Sequence, residues 1–235
     1  VIAPNADSLV IGDTVTMTCT TPGSQIRYTL DGSEPTIFSS TYSTPVPVLR
    51  TGNVEVKAVA FRASMNPSPV ETKVYNVTYT APLMVDVPAG SFTYLGTNIT
   101  LSGFKMAPYE ISQVGYAAVM AKTPSSFTGD IQAPVERVSW FNAIEYCNRR
   151  SIQENLSPCY SYSTYGTNPD DWPEGWDQSK NNHESVTCDF TAIGYRLPTE
   201  TEFLYAANAA ADTLTTTYSG GNTIENVAWY AGNST

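Results

Sequence analysis

Gly194-Tyr195-Arg196-Leu197-Pro198-Thr199-Glu200-Thr201-Glu202-Phe203-Leu204 is the stretch on which the reading of the C-terminal half turns. Pro198 stands just outside a helix start, and Thr199 is a candidate N-cap. Glu202, three residues on, can reach back to the Thr199 N–H, which makes a capping box. Phe203, Leu204, Ala206 and Ala207 then supply the apolar side of the helix. Glu200 and Glu202 lie in the first turn, where carboxylates meet the positive end of the helix dipole. That accounts for them without a catalytic role.

Working outward, residues 157–187 are rich in Ser, Tyr, Asn, Asp, Pro and Trp without a period, and predict a long surface insertion. Ser139 can cap a longer helix in which Trp140, Ala143, Ile144 and Cys147 fall at i, i+3, i+4 and i+7, a core-facing stripe. Ser112 can cap another helix running through Met120. Met84 to Phe92 reads as a strand and turn, and Ile99 to Met106 as a second strand. Upstream of Thr80-Ala81-Pro82 the pattern is all-β. Thr14 to Thr20 alternates with period two and places Val15, Met17 and Cys19 on one buried face. Gln25–Leu30, Val54–Phe61 and Val70–Thr80 are further strands, and Pro/Gly/Ser turns separate them. Residues 1–80 therefore predict a small all-β sandwich. Residues 81–235 predict an α+β domain.

Composition narrows the function. The chain has 12 basic and 22 acidic residues, a net charge of −10. Phosphate backbones and anionic lipid repel such a chain, so no nucleic-acid partner is expected. No apolar run approaches the ~18–20 residues that span a bilayer, so no membrane insertion is expected. The chain starts at Val1 with no initiator Met or signal-like segment, as a mature or trimmed piece would. His183 is the single histidine, in a polar Lys180-Asn181-Asn182-His183-Glu184 stretch. Multi-His zinc and two-His iron sites are thereby ruled out, and a Ser-His-Asp triad would rest on one solvated residue.

Two ordered sets of motifs resemble known families. Ile26-Arg27-Tyr28-Thr29-Leu30-Asp31-Gly32-Ser33-Glu34-Pro35-Thr36, then Tyr42, Val56-Lys57-Ala58-Val59-Ala60 and Val74-Tyr75-Asn76-Val77, resemble the chitobiase C-terminal-type module. That family is a fibronectin-III-like sandwich appended to secreted bacterial glycosidases and surface proteins. The resemblance implies an accessory module near carbohydrate or a plain spacer. Farther on come Val87-Pro88-Ala89-Gly90-Ser91-Phe92, Pro134 to Trp140, Tyr146-Cys147-Asn148, Gly194 to Glu200, and Asn226-Val227-Ala228-Trp229-Tyr230. Together these resemble the formylglycine-generating enzyme, or sulfatase-modifying factor, family over residues 83–235. The resemblance implies a C-type-lectin-like α+β fold. It implies either an oxidase that converts a sulfatase cysteine to formylglycine with O2 and a copper ion on two cysteines, or a relative without that chemistry that serves in binding.

The departures from that family shape the expectation. Its copper-binding cysteines and most of its substrate groove lie beyond the segment matching Asn226 to Tyr230, and the chain stops at Thr235. A truncated domain is expected, no catalytic residue is carried over, and copper is not expected here. The leading expectation is a non-catalytic extracellular or cell-surface bacterial protein that binds a protein or carbohydrate ligand. The alternatives are an oxidase whose cysteines lie outside this chain, and a structural subunit that self-assembles. The family also implies Ca2+, held here by Asn226, the Val227 carbonyl and Asn233, unless Asn226 only hydrogen-bonds a loop. Cys159 and Cys188 bracket the insertion. They are expected either as a disulfide, worth about 3–4 kcal/mol in the loop-entropy model, or as two free buried thiols. Tyr160, Tyr162, Tyr165, Trp172 and Trp176, among small polar residues, form a candidate recognition surface or pack the insertion onto its own domain.

Overall fold

Alternation of apolar and polar side chains builds the N-terminal strands: β1 (Ile2–Ala3), β2 (Ser8–Val10), β3 (Thr14–Met17), β4 (Gln25–Thr29), β5 (Ser40–Thr41), β6 (Val46–Pro47), β7 (Gly52–Phe61) and β8 (Glu71–Thr78). In the computed structural model, which describes residues 1–208, 217–218 and 221–227, these strands form two sheets. One has the order β1-β3-β6 and the other β2-β8-β7-β4-β5. The antiparallel β7–β8 ladder sets Val54 opposite Tyr75, and both are fully buried. Val15, Val48, Val56 and Val77 complete a sandwich-like core. Strand β3 ends at Met17, so Cys19 lies beyond the alternating stretch and is exposed rather than buried.

Helix α1 (Gln113–Met120) begins where the Ser112 Oγ accepts the Gly115 N–H at 3.2 Å and ends at Ala121, whose φ of 51° is left-handed. Val114 and Ala118 pack into the sandwich core, with Ile131 half-buried against it. As a result Ile111–Asn142 clusters with Val1–Ala81 in one unit, although the sequence grouped it with residues 81–235.

The second unit comprises Pro82–Glu110 and Ala143–Thr235. Strands β9 (Val85–Val87), β10 (Gly90–Tyr94), β11 (Thr97–Leu101) and β12 (Phe104–Met106) pair as β10–β11 and β9–β12. The single strand expected over 99–106 is thus two, broken at Ser102-Gly103. Helix α2 (Trp140–Gln153) starts at a reciprocal pair between Ser139 and Asn142, at 3.2 and 3.0 Å. Its stripe buries Ile144 and Cys147 while Trp140 stays 45% exposed. The insertion carries strands β13 (Tyr160–Tyr162) and β14 (Val186–Cys188), paired antiparallel, and two 3-10 turns. Helix α3 (Glu200–Ala207) has the capping box between Thr199 and Glu202. A single turn, α4, spans Ile224–Val227.

Candidate recognition scaffold around the insertion

Helix α2 holds the insertion through side chains that would be costly to bury alone. Asn148, fully buried, donates from Nδ2 to the carbonyls of Tyr160 and Thr167, each at 2.7 Å, and accepts the Tyr160 N–H at 3.1 Å. Ser151 donates to the Cys147 carbonyl and accepts the Tyr195 N–H, both at 2.7 Å. Arg150 is 4% exposed and stacks on the Tyr195 ring at 4.1 Å. It also pairs with Glu154 at 2.9 Å, and the Tyr195 hydroxyl donates to the other Glu154 oxygen. Arg149 joins Glu145 and Asp170. Sequence reasoning passed over these polar residues. The i, i+4 spacing of Glu145 with Arg149 and of Arg150 with Glu154 was the available signal.

The aromatic residues of the insertion face inward. Tyr160, Tyr162, Trp172 and Trp176 are all buried, and only Tyr165 is half-exposed, at 48%. Trp172 and Trp176 meet edge to face at 4.3 Å, Tyr162 touches both, and Tyr165 stacks on Tyr162 at 5.9 Å. The Trp172 indole N–H reaches the Gly166 carbonyl at 2.9 Å, and the Tyr160 hydroxyl accepts the Leu197 N–H at 3.0 Å. Of the five expected recognition residues, four are therefore the core of the insertion. A long segment poor in aliphatic residues packs on its own rings because they bury large area. Outward-facing apolar groups lie elsewhere in this unit, at Phe190, Ile193 and Phe203.

Cys159 and Cys188 are free thiols. The β13–β14 register sets Tyr160 opposite Cys188, and the Asp189 N–H bonds the Cys159 carbonyl. The two cysteines are thus one step out of register, and the pleat sends such neighbours to opposite faces. Burial pushes all three thiols of the unit up, that of Cys147 to about 12. Cys19 differs, because hydrogen bonding from the Thr21 backbone and the Ser24 hydroxyl holds its thiol below the usual value. A thiol reagent should consume Cys19 first in the native protein, Cys188 slowly, and Cys147 and Cys159 only on unfolding. Four thiols should be counted in denaturant. A count of two would mean that Cys159 and Cys188 are bonded.

The motif before α3 is an ion-paired cap. Arg196 forks onto Glu202 at 2.7 and 2.6 Å and lies over the Phe190 ring at 4.9 Å. Arg196 foremost, with the Thr199 N–H, holds the Glu202 carboxyl down to about 2 from an ordinary 4.5. Because the folded value is the lower one, the pair contributes its full stability above pH 4.5 and loses it as pH falls toward 2. Acid titration followed by urea unfolding should show a loss of about 3 kcal/mol across that window, and Glu202→Gln should flatten it. An unchanged slope in the variant would refute the pairing. Asn226 and Val227 lie on α4, where Asn226 is exposed and its N–H bonds the Thr223 carbonyl at 3.1 Å. Asn233 lies outside the described residues. Among the described residues no group of three or more His, Cys, Asp or Glu could hold a metal, and no helix is long and apolar enough to cross a membrane.

Residues 70–235 match the sulfatase-modifying factor enzyme 1-like domain. The chain belongs to that family. Residues 4–72 match the chitobiase/beta-hexosaminidase C-terminal domain, which agrees with the sandwich-like N-terminal module. A Paenibacillus barcinonensis protein named chaperone protein LppX is 43% identical over 152 residues, covering 63% of this chain and 52% of the relative. The chain therefore spans about half the length of that curated relative. Treponema denticola variable protein 1 is similar in structure, with a TM-score of 0.53 and 31% identity over 64% of this chain and 61% of its own. CarF is similar at a TM-score of 0.52 and 25% identity, over 66% and 69%.

Proposed function

We propose that this chain is a non-catalytic binding protein, whose sulfatase-modifying-factor-like unit is a C-type-lectin-like scaffold for holding a polypeptide partner at the cell surface or outside the cell. The observation that carries this reading is the 43% identity over 152 residues to a relative named as a chaperone. Burial raises the thiols of Cys147, Cys159 and Cys188, so none of the three is an activated nucleophile in this unit. A polypeptide is favoured over a glycan because a 43% identical relative is named as a chaperone. The outward side chains of the unit also include Phe190, Ile193, Phe203 and Tyr165, which supply apolar contact. Calcium at Asn226 and the Val227 carbonyl belongs to the same reading as a structural ion, since hard oxygen donors suit it.

The test has two arms. In the first, the chain is incubated with a cysteine-containing sulfatase peptide, copper and O2, and the peptide is weighed by mass spectrometry. It should emerge unmodified, and conversion of its thiol to an aldehyde would overturn the non-catalytic reading. In the second, a heat-labile client protein is warmed with increasing amounts of the chain. Light scattering should fall until the two are near equimolar. No suppression, together with retention on a glycan array, would replace polypeptide by carbohydrate. Calcium should raise the melting temperature of the chain in a saturable way, and an Asn226→Ala variant should not respond.

A further inference from the structure

We propose that the first unit pairs with a second copy of this chain, the Phe127 ring of each copy entering an apolar cavity of the other. Phe127 is 76% exposed, yet the loop that carries it is fixed. Gln113 Nε2 donates to the Phe127 carbonyl at 2.7 Å, and the N–H groups of Ser126 and Phe127 both donate to Glu136 Oε1. Arg137 donates to the Ser126 hydroxyl at 2.9 Å. A ring presented on an already ordered loop loses little freedom on binding, and aromatic anchors of this kind dominate interfaces.

The receiving cavity lies beside the same loop. It has a volume of about 240 Å³, its apolar wall includes Pro47, Leu49, Ile131 and Val135, and the exposed Thr123 and Thr128 also line it. An apolar cavity of about 150 Å³ already admits a benzene ring, so a phenyl group fits. Phe127 sits between Ser125 and Thr128, and both of these line the cavity. Knob and hole thus share one patch. A patch that carries both halves of a contact closes by two-fold symmetry into a dimer, whereas halves set far apart would propagate a filament.

Charge selects the same unit. The first unit has seven basic and eight acidic residues, and the second five basic and fourteen acidic, so they carry −1 and −9. Two second units repel each other, while two first units do not. Around the loop, exposed Lys122 and Arg137 are positive and exposed Asp130 is negative. A two-fold axis lets the opposite signs of two loops face each other.

Sedimentation equilibrium of the 235-residue chain over a concentration series tests this. A monomer–dimer equilibrium is expected. Phe127→Ala, at an exposed site that keeps the fold, should weaken it about tenfold or more. Thr128→Trp, which plugs the mouth, should do the same. An equimolar mixture of the two variants should associate more strongly than either alone, because one retains the ring and the other the open cavity. A chain monomeric at every concentration, a Phe127→Ala variant that dimerises like the parent, or a mixture with no recovery would each overturn the proposal. Circular dichroism of both variants confirms that they are folded.

Discussion

Asn148→Ala should lower the free energy of unfolding by about 4 kcal/mol and loosen the insertion before the rest of its unit. The Asn148 side chain is fully buried and satisfies three backbone groups, the Tyr160 N–H and the carbonyls of Tyr160 and Thr167. Truncation leaves all three without a partner in a site closed to water, and each such group costs about 1–3 kcal/mol. Asn148→Asp is a sharper probe. Its carboxylate still accepts the Tyr160 N–H but turns an acceptor toward both carbonyls, so it should be at least as damaging at neutral pH. Urea unfolding gives the magnitude. Hydrogen exchange at Tyr160 gives the location, since that amide should lose protection first. If the midpoint of Asn148→Ala matched that of the parent, the clamp would have no energetic role.

Gly194→Ala is the second large effect, and its cause is space alone. A Cβ built at Gly194 would overlap the Ser157 carbonyl oxygen and stand 2.6 Å from Ser151 Oγ. The first obstacle is backbone, so no side-chain rotation relieves it, and the Ser151 hydroxyl is already committed to the Tyr195 N–H. The methyl must displace the segment leading into α3 from the Ser157 backbone and from helix α2. Overpacking of this severity costs about 3 kcal/mol or more, which for a chain of this length lowers the melting temperature by roughly 6–12 °C. Ser151→Gly in the same chain removes the hydroxyl contact but not the carbonyl one, and should recover only part of the loss. Full recovery would place the clash on the side chain instead.

These two residues mark the edge of what could be read from the chain. Ser112, Ser139 and Thr199 were identifiable as helix caps because each acts on an N–H within three residues of itself. Val15 and Met17 were readable as buried because period two is a local property, whereas Cys19 failed because the strand stops two residues earlier. Asn148 reaches carbonyls 12 and 19 positions away, and no local pattern encodes such a partner. The aromatic residues left two readings open for a related reason. Tyr, Trp, Asn and Asp in one segment suit either an exposed binding face or a self-packed insertion, and only the pairing of β13 with β14 makes them a core. Glu202 was readable as a cap, but Arg196, which gives it its acid-resistant charge, was seen only as part of a motif.

Helix α1 donates Val114 and Ala118 to a core otherwise built by residues 1–81, and the chain leaves for the second unit both before and after it. No single scissile point therefore separates the two halves. A fragment ended at residue 80 would expose the apolar face that α1 covers, and a fragment begun at 81 would carry that helix with nothing to cover. Anyone dividing this molecule for crystallisation or for grafting needs a permuted design in which 111–138 is spliced onto the sandwich and the flanking stretches are rejoined, so that α2 keeps its Ser139 cap.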